Sequence, residues 1–360
     1  MTRAYLRPTA FVDAPFGLDS QVARLAGGLN WFSAVEWIVR DGDRRMSAEL
    51  VPVADLQPRL ARNEAAAESW ARLTAPRPRL RLGERQIPLD QPQVVGILNI
   101  TPDSFSDGGA HLDPDDAVSA GVAMSGAGVA ILDVGGESTR PGAQPIWEGD
   151  EIARVLPVVQ RLAAGGAAVS IDTRKGAVAH AALEAGATLV NDVSGGASAD
   201  PTPPVAARHG AALVLMHMPD DPRTMQHDPR YADVVLDVYD WLEARVEAAV
   251  DAGVPRDRIV VDPGIGFGKT VAHNLALLNG LSLFHGLGCP LMLGVSRKRM
   301  IGALSGEAPA DQRLPGSLAL ALEGARQGAQ LLRVHDVPET VQALRVWRGL
   351  RDQALTPPLG

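Results

Sequence analysis

Polar residues stand at the C-terminal ends of a series of short apolar runs in this 360-residue chain. Their side chains carry charge or form hydrogen bonds, and in chain order they are Asn99, Asp133, Asp172, Asn191, Asp192, His217, Asp262, Ser296, Arg297, Lys298, Arg333 and His335. A single polar residue at such a position is most often a capping or structural group. A whole series of runs that end in this way indicates one shared site.

Part of this set is suited to bind a flat heterocycle. Asp172, Asn191 and Asp262 accept hydrogen bonds, and the Asn191 amide also donates. This combination matches a ring that presents an amino group and a ring N–H beside acceptors. Lys298 would donate to the other edge of the ring. Met216 could face the ring, although core packing explains this residue equally well.

A second part of the set is suited to bind phosphate. Arg333 and His335 are two residues apart on one predicted strand, so their side chains project to the same side and can hold an anion, with Asn99 nearby. Barrels of parallel strands commonly bind phosphate around their seventh and eighth strands. The sequence therefore predicts a site for a heterocycle joined to a phosphorylated group.

Two familiar motifs do not carry their usual chemistry here. The segment 263–270 ends like a Walker A loop, but Pro263 occupies the position of the required first glycine. We interpret this segment as a glycine-rich turn that lets the backbone and Phe267 approach the ring. His217 has no other His or Cys at ligand spacing, which favours a hydrogen-bonded structural histidine over a metal ligand.

The elements that must position these residues are short strands that alternate with helices. The predicted strands are Val94–Ile100, Val129–Val134, Ala168–Thr173, Leu189–Val193, Ala212–Met218, Ile259–Asp262, Leu291–Val295 and Leu331–His335. Predicted helices between them include Pro114–Gly126, Glu148–Ala164, Gly176–Ala185 and Tyr231–Ala252. Eight such units predict an α/β fold, a (β/α)8 TIM barrel. A doubly wound sheet is the alternative, but no phosphate fingerprint follows the first strand.

A small α+β extension is predicted before the barrel. Trp31–Arg40 and Arg44–Val53 alternate in polarity on either side of Asp41-Gly42-Asp43 and predict a hairpin. Pro58–Leu73 is predicted to be a helix, and Leu80–Leu89 a second hairpin that leads into the barrel. We place the domain boundary near Pro76, with residues 1–76 as an extension of unknown role and residues 77–360 as the barrel.

Composition excludes several classes of function. The chain has 42 acidic and 34 basic residues and a net charge of −8, which disfavours nonspecific binding to nucleic acid or to a membrane surface. Its single cysteine, Cys289, excludes an intramolecular disulfide and a multi-cysteine metal site, and is expected to pack in the core. The N-terminus lacks the apolar core of a signal peptide. These features predict a cytoplasmic protein.

Eight segments of the chain resemble motifs of the dihydropteroate synthase family, and they occur in the family order. They are 96–109, 133–142, 170–173, 191–192, 215–218, 262–269, 296–298 and 333–335. The resemblance extends from about Arg77 to Leu350. One departure is Thr173-Arg174-Lys175-Gly176, where the family often has Thr-Ser-Lys-Pro, so the shape of that loop is open but the position of Asp172 is not.

The resemblance implies a transferase that condenses 6-hydroxymethyl-7,8-dihydropterin diphosphate with p-aminobenzoate, giving 7,8-dihydropteroate and pyrophosphate. The implied pterin ligands are Asp172, Asn191, Met216, Asp262, Phe267 and Lys298; the diphosphate ligands are Asn99, Thr139, Arg333 and His335; and the p-aminobenzoate residues are Phe105, Arg140, Pro141 and Ser296. It also implies catalytic roles for Asp107, Arg140 and Lys298, a Mg²⁺ ion held by Asn99, a homodimer and competition by sulfonamides.

The residue types fit a dissociative substitution. Loss of pyrophosphate leaves a cation that is delocalised into the pterin ring, and the carboxylates of Asp172 and Asp262 would stabilise it. The aromatic amine is neutral near pH 7, so the nucleophile needs no dedicated base, and the chain shows no Ser-His-Asp or Cys-His arrangement. A pterin-binding methyltransferase and a noncatalytic pterin-binding paralogue remain as alternatives. The first has no use for Arg333 and His335, and the second would be expected to lose its loop residues.

Overall fold

The N-terminal part of the chain forms an antiparallel sheet. A computed structural model describes residues 2–100, 114–138, 146–219, 225 and 228–356. The sheet contains strands β1 (Thr2–Val12), β2 (Ala23–Arg24), β3 (Trp31–Asp41) and β4 (Arg44–Pro52). Strand β3 pairs with each of the other three, and the predicted hairpin between β3 and β4 is confirmed.

Strand β1 was not predicted, because its apolar side chains do not alternate with polar ones. Ala4, Tyr5 and Leu6 are buried in succession. Tyr5 packs into the core of the barrel, whereas Ala4 and Leu6 pack into a separate core formed by the extension itself. Partners distant in the sequence therefore cover both faces of this strand, which hides the period-two pattern of a half-exposed strand.

The helix predicted over Pro58–Leu73 is wrong as a single element. The structure has two helices, α1 (Gln57–Leu60) and α2 (Glu64–Thr74). Asn63 between them is extended, with φ −146° and ψ 95°, and its side chain accepts a hydrogen bond from the Ala66 N–H at 3.0 Å. An asparagine in this conformation is a helix N-cap, so the chain stops one helix and starts another.

The predicted second hairpin is confirmed, and it closes the N-terminal end of the barrel. It consists of β5 (Leu80–Leu82) and β6 (Arg85–Ile87). Leu80, Leu82 and Ile87 form one buried cluster with side chains from the early residues of the barrel strands. That end of the barrel is therefore filled by apolar packing.

The eight predicted barrel strands are all confirmed. They are β7 (Gln93–Asn99), β8 (Ile131–Gly135), β9 (Val169–Asp172), β10 (Leu189–Asp192), β11 (Ala212–Met216), β12 (Ile259–Asp262), β13 (Met292–Leu293) and β14 (Leu331–Val334). They pair in parallel in the order β12-β11-β10-β9-β8-β7-β14-β13. A parallel bridge between Val261 and Leu291 joins the two ends of this sheet, which makes it a TIM barrel.

Helices surround the barrel and cover its outer face. They are α3 (Pro114–Ala127), α4 (Glu148–Ala164), α5 (Gly176–Glu184), α6 (Pro203–His209), α7 (Val234–Asp251), α8 (Val271–Asn279), α9 (Arg299–Leu304), α10 (Leu314–Arg326) and α11 (Val337–Ala354). Short 3-10 helices cover Val53–Asp55, Arg256–Arg258, Leu281–Leu287 and Ala310–Gln312. Within the described part of the chain, no helix is both long and apolar enough to cross a membrane. The division at residue 76 stays a prediction.

Candidate active site

A cavity of about 780 Å³ opens where the barrel strands end. Every predicted site residue that the structure describes lines it: Asn99, Asp172, Asn191, Met216, Asp262, Phe267, Ser296, Lys298, Arg333 and His335. The other predicted residues, Phe105, Asp107, Thr139, Arg140 and Pro141, lie outside the described residues. The strand-end residues assigned to substrate thus converge as predicted, whereas Asp133, Asp192 and His217 of the same series do not line the cavity. The role of each residue remains a prediction.

Arg333, which lines this cavity, bonds two buried aspartates, of which Asp172 also lines the cavity. Arg333 at the end of β14 donates from Nε to Asp133 Oδ2 and from Nη2 to Asp172 Oδ2, both at 2.6 Å. The second carboxylate oxygen of each aspartate is buried and has no hydrogen-bond partner. Buried polar atoms are nearly always satisfied in folded proteins, so the free oxygen of Asp172, which lines the cavity, marks a place for a donor from a ligand.

Asp133, which the sequence placed at a strand end without a role, contacts two residues that line the cavity. Its Oδ2 atom also accepts a hydrogen bond from Asn191 Nδ2 at 2.9 Å. Asp133 therefore fixes the orientation of the Asn191 amide and shares Arg333 with Asp172. Arg333 and Asp133 are 200 residues apart, so no sequence spacing could have revealed this contact.

Burial raises the pKa of Asp172 to about 7, and the nearby guanidinium of Arg333 only partly offsets that effect. Burial also raises the pKa of Asp262 to about 6, against the stabilising N–H of Gly264. Both carboxyls are therefore close to titration at neutral pH. Groups with this property, placed in a cavity, are typical of active sites.

The glycine-rich turn after β12 forms one side of the cavity. Asp262 Oδ1 accepts the Gly264 N–H at 2.7 Å, and Asn274 Oδ1 accepts the Gly266 N–H at 2.7 Å. Gly264 has φ +67°, and a Cβ atom there would lie 2.0 Å from the carbonyl oxygen of His217. Only glycine satisfies both constraints at this position.

Lys269 stabilises this turn from below. Its Nζ atom is 2.9 Å from the Gly264 oxygen, 2.8 Å from the Phe267 oxygen and 2.9 Å from His217 Nδ1. Burial lowers the pKa of Lys269 well below its ordinary value and lowers that of His217 to about 2. Because Lys269 is buried and bonded to backbone oxygens, this segment does not bind phosphate as a Walker A loop does. His217 is hydrogen-bonded, as predicted.

Lys298 and Phe267 form a pair at the face of the cavity. The Lys298 ammonium lies 4.0 Å from the centroid of the Phe267 ring. Burial lowers the pKa of Lys298 to about 8, while the charge of Asp262 acts in the opposite direction. Phe267 in turn packs against Met216 and neighbouring apolar side chains. A flat ring placed here would have an apolar face beside it and an ammonium donor at its edge.

Ser296 and His335 are joined on the opposite side of the cavity. Ser296 Oγ lies 3.1 Å from His335 Nδ1 and accepts the His335 backbone N–H at 3.2 Å. Burial, together with the positive charge of Arg333, lowers the pKa of His335 to about 3. His335 is therefore a neutral imidazole at physiological pH.

Asp192 belongs to the fold and not to the cavity. Its carboxylate accepts hydrogen bonds from the backbone and side chain of Ser194, from the Gly196 N–H and from the Thr202 hydroxyl. Every one of these donors comes from the loop and helix that follow β10. Asn191 and Asp192 are adjacent, yet only the first faces the ligand site, as side chains alternate along a strand.

Comparisons with known proteins identify the family to which this chain is similar. A family model described as pterin-binding enzyme matches residues 95–335. The dihydropteroate synthase of Mycobacterium leprae strain TN is 49% identical over 264 residues, which cover 71% of this chain and 92% of that relative. The Escherichia coli K12 enzyme is 45% identical over 259 residues, which cover 72% of this chain and 91% of the relative.

Solved structures give the same result. A Xanthomonas albilineans dihydropteroate synthase with 4-aminobenzoic acid is 45% identical, with a TM-score of 0.73, and the match covers 78% of this chain and all of that one (100%). The same enzyme in complex with 7,8-dihydropteroate is 42% identical, with a TM-score of 0.69, and the match covers 78% of this chain and 100% of that one. The chain therefore belongs to the dihydropteroate synthase family of pterin-binding enzymes.

Proposed function

We propose that this chain condenses 6-hydroxymethyl-7,8-dihydropterin diphosphate with p-aminobenzoate to give 7,8-dihydropteroate and pyrophosphate. Family membership supports this activity, as do the related structures that contain 4-aminobenzoic acid and 7,8-dihydropteroate. The single observation that carries the proposal is the buried, unpartnered oxygen of Asp172, a residue that lines the cavity. This oxygen is an acceptor that a pterin, with its amino group and ring N–H, would satisfy.

The pterin would lie between Asp172 and the glycine-rich turn. Asn191, held by Asp133, would present its amide to the ring, and Asp262 is buried on the other side with one oxygen on Gly264. Lys298 would donate to the edge of the ring from its position over Phe267. The acceptors on both sides of the ring and the Lys298 ammonium at its edge would together fix its orientation.

The charge distribution supports a dissociative substitution. The bond between the pterin methylene carbon and the diphosphate oxygen breaks, and its electron pair leaves with pyrophosphate. The resulting cation is stabilised by the carboxylates of Asp172 and Asp262, which are preorganised in a largely desolvated cavity. The amine nitrogen of p-aminobenzoate then forms the new C–N bond and loses a proton. An uncharged aromatic amine needs no strong base for this step.

The leaving group requires positive charge near Asn99 and His335. The neutral His335 imidazole can donate one N–H to a phosphate oxygen while Ser296 holds its other nitrogen. Arg333 is engaged by two carboxylates in this state. Its contact with diphosphate would therefore require that pyrophosphate compete with Asp133 and Asp172 for its N–H groups. Thr139 lies outside the described residues and remains a proposed diphosphate ligand because of the family resemblance.

The residues at the cavity fit a Mg²⁺ ion that is held mainly by substrate. Asn99 supplies an amide oxygen at the end of β7, beside Gly135 on the neighbouring strand. Among the described residues, the one carboxylate and histidine cluster with ligand spacing is His180, Glu184 and His209, on outer helices α5 and α6. Mg²⁺ prefers few protein ligands together with phosphate and water. When bound, the ion would supply charge that stabilises pyrophosphate.

The cytoplasmic location and the homodimer predicted from sequence are also proposals. The single cysteine, Cys289, is buried, and burial raises its pKa to about 11, which supports a packing role. The family resemblance supports the dimer. The mass of the purified chain measured by light scattering would test it.

The activity is tested by mixing purified protein with Mg²⁺, the pterin diphosphate and p-aminobenzoate, and by following 7,8-dihydropteroate and pyrophosphate. We expect both products in equal amounts, and no dihydropteroate when p-aminobenzoate is left out. A reaction without p-aminobenzoate also measures slow capture of the cation by water. Absence of dihydropteroate in the complete mixture would reject the proposal and would favour a noncatalytic pterin-binding protein. Transfer of a methyl group from a methylated folate would favour the methyltransferase alternative.

A further inference from the structure

Arginines of the N-terminal sheet contact a row of acidic residues on barrel helix α7. The arginines are Arg3, Arg40 and Arg45, and the acids are Asp233, Asp237, Asp240 and Glu243. Residues 233, 237, 240 and 243 are three or four positions apart, so their side chains lie on one face of the helix. The extension is therefore attached to the N-terminal half of α7 by complementary charge.

The first turn of α7 shares its capping carboxylates with the extension. Asp233 accepts the N–H groups of Val235 and Leu236 with one oxygen and receives Arg45 at 2.7 Å with the other. Asp237 accepts the Ala232 N–H at 2.9 Å with one oxygen and receives Arg40 at 2.5 Å with the other. The start of α7 is thus defined jointly by its own backbone and by arginines of the extension.

Two residues of this region reach the pterin side of the cavity. Tyr231, just before α7, donates its hydroxyl to the Gly268 oxygen at 2.8 Å. Trp241, in the third turn of α7, packs edge-on against His217 with ring centroids 4.9 Å apart. His217 in turn lies 2.9 Å from the Lys269 ammonium, which holds the glycine-rich turn. The position of α7 is therefore transmitted to this turn by two separate contacts.

We propose that the N-terminal sheet positions the pterin-binding turn by fixing helix α7, and that Arg40 is the principal positioning residue. The ligand in this statement rests on the proposed function. Arg40 is buried, and it bonds Asp237 at 2.5 Å and Asp240 at 3.3 Å, the two acids that precede Trp241 on α7. Arg40 is remote in sequence from every residue of the cavity and acts through the helix.

The test compares Arg40→Gln with the unchanged protein in steady-state kinetics and in calorimetric titration with the pterin diphosphate alone. A displaced turn loses part of its contact with the ring, so we expect KM and Kd for the pterin substrate to rise about fivefold. The KM for p-aminobenzoate should change by less than about twofold, because its predicted residues lie elsewhere. Arg40→Lys keeps the charge and should restore part of the pterin affinity.

Arg3→Gln is the matched control. Arg3 anchors the same sheet to the same helix, but through Asp240 and Glu243, beyond the first turn. If Arg40 and Arg3 variants raised the pterin KM equally, the sheet would only hold the helix in place, and the positioning role of Arg40 would be rejected. An unchanged pterin KM and Kd in Arg40→Gln would also reject it. Arg45→Gln, at the partly exposed ion pair with Asp233, tests the same route if Arg40→Gln fails to fold.

The experiments distinguish failure of the proposed activity from failure of the positioning role of Arg40. If the unchanged protein forms no dihydropteroate, the activity is wrong, but calorimetric titration with the pterin diphosphate still compares Arg40→Gln with Arg3→Gln. If the unchanged protein is active and the two variants bind the pterin equally well, the positioning role alone is wrong.

Discussion

Two arginine–carboxylate networks in this molecule differ in how completely they are satisfied. In the cavity, Arg333 bonds Asp133 and Asp172, and each aspartate keeps one buried oxygen without a partner. Between the extension and α7, the networks of Arg3, Arg40 and Arg45 give every carboxylate oxygen at least one donor. The relevant acids are Asp233, Asp237, Asp240 and Glu243.

This difference separates a ligand site from a structural contact. An unsatisfied buried acceptor is costly in the free protein, and a ligand that supplies a donor removes that cost. A fully bonded network gains nothing from a ligand and serves to hold two elements together. The comparison therefore identifies the cavity network as the one whose residues should control catalysis.

The largest effect is expected for Asp172→Asn. This change removes the negative charge beside the pterin cation, and kcat/KM should fall by roughly 100-fold to 1000-fold, the range for loss of one preorganised electrostatic group. Steady-state kinetics measure the effect, and circular dichroism confirms that the variant is folded. Glu243→Gln makes the same chemical change in the satisfied network and is the matched control. Equal losses in the two variants would remove the distinction between the networks.

The pH dependence of kcat/KM sharpens the comparison. The pKa of Asp172 is about 7 and that of Asp262 about 6, each raised by burial. Protonation removes the charge that binds the pterin cation, so kcat/KM for the pterin substrate should fall about tenfold per pH unit between the two pKa values and about 100-fold per pH unit below both. In Asp172→Asn one titrating group is lost and the acid limb should move to lower pH. A profile that is flat between about pH 5 and 8 would contradict this assignment.

The raised pKa of Asp172 also makes the free energy of unfolding depend on pH. The direction is opposite to that of a carboxylate whose pKa is lowered by a salt bridge. The pKa of Asp172 in the folded protein is above its ordinary value of 3.8, so the folded state binds this proton more tightly than the unfolded chain does. The contribution of Asp172 to stability is therefore full below about pH 4 and is lost as the pH rises through about 7. The folded protein is therefore less stable when the Asp172 carboxylate is charged, although the proposed catalysis needs that charge.

The barrel and most residues of the cavity could be predicted from the sequence, but the contacts between them could not, because they join residues far apart in the chain. Strand ends such as Asn99 and Asp262 are visible because apolar runs alternate with helices, and the barrel brings their ends together. The partners of Arg333 were not predictable, since Asp133 and Asp172 lie 200 and 161 residues away. The family resemblance selected Asn191 as a ligand and left Asp192 without a role, and only the loop and helix after β10 show that Asp192 is fully bonded within the fold.

The smallest effect is expected for Glu243→Gln itself. Arg3 then loses a bidentate partner but keeps Asp240 at 3.0 Å, and the Arg3 and Glu243 side chains are 35% and 26% exposed. Water screens such a pair, so the free energy of unfolding should fall by only about 1 kcal/mol. Urea denaturation measures this change, with the more exposed pair of Glu247 and Arg256 as reference through Glu247→Gln. A loss of activity without a loss of stability would show that the contact of Arg3 with Glu243 also influences the cavity, and that the effect of the extension on the cavity does not run through Arg40 alone.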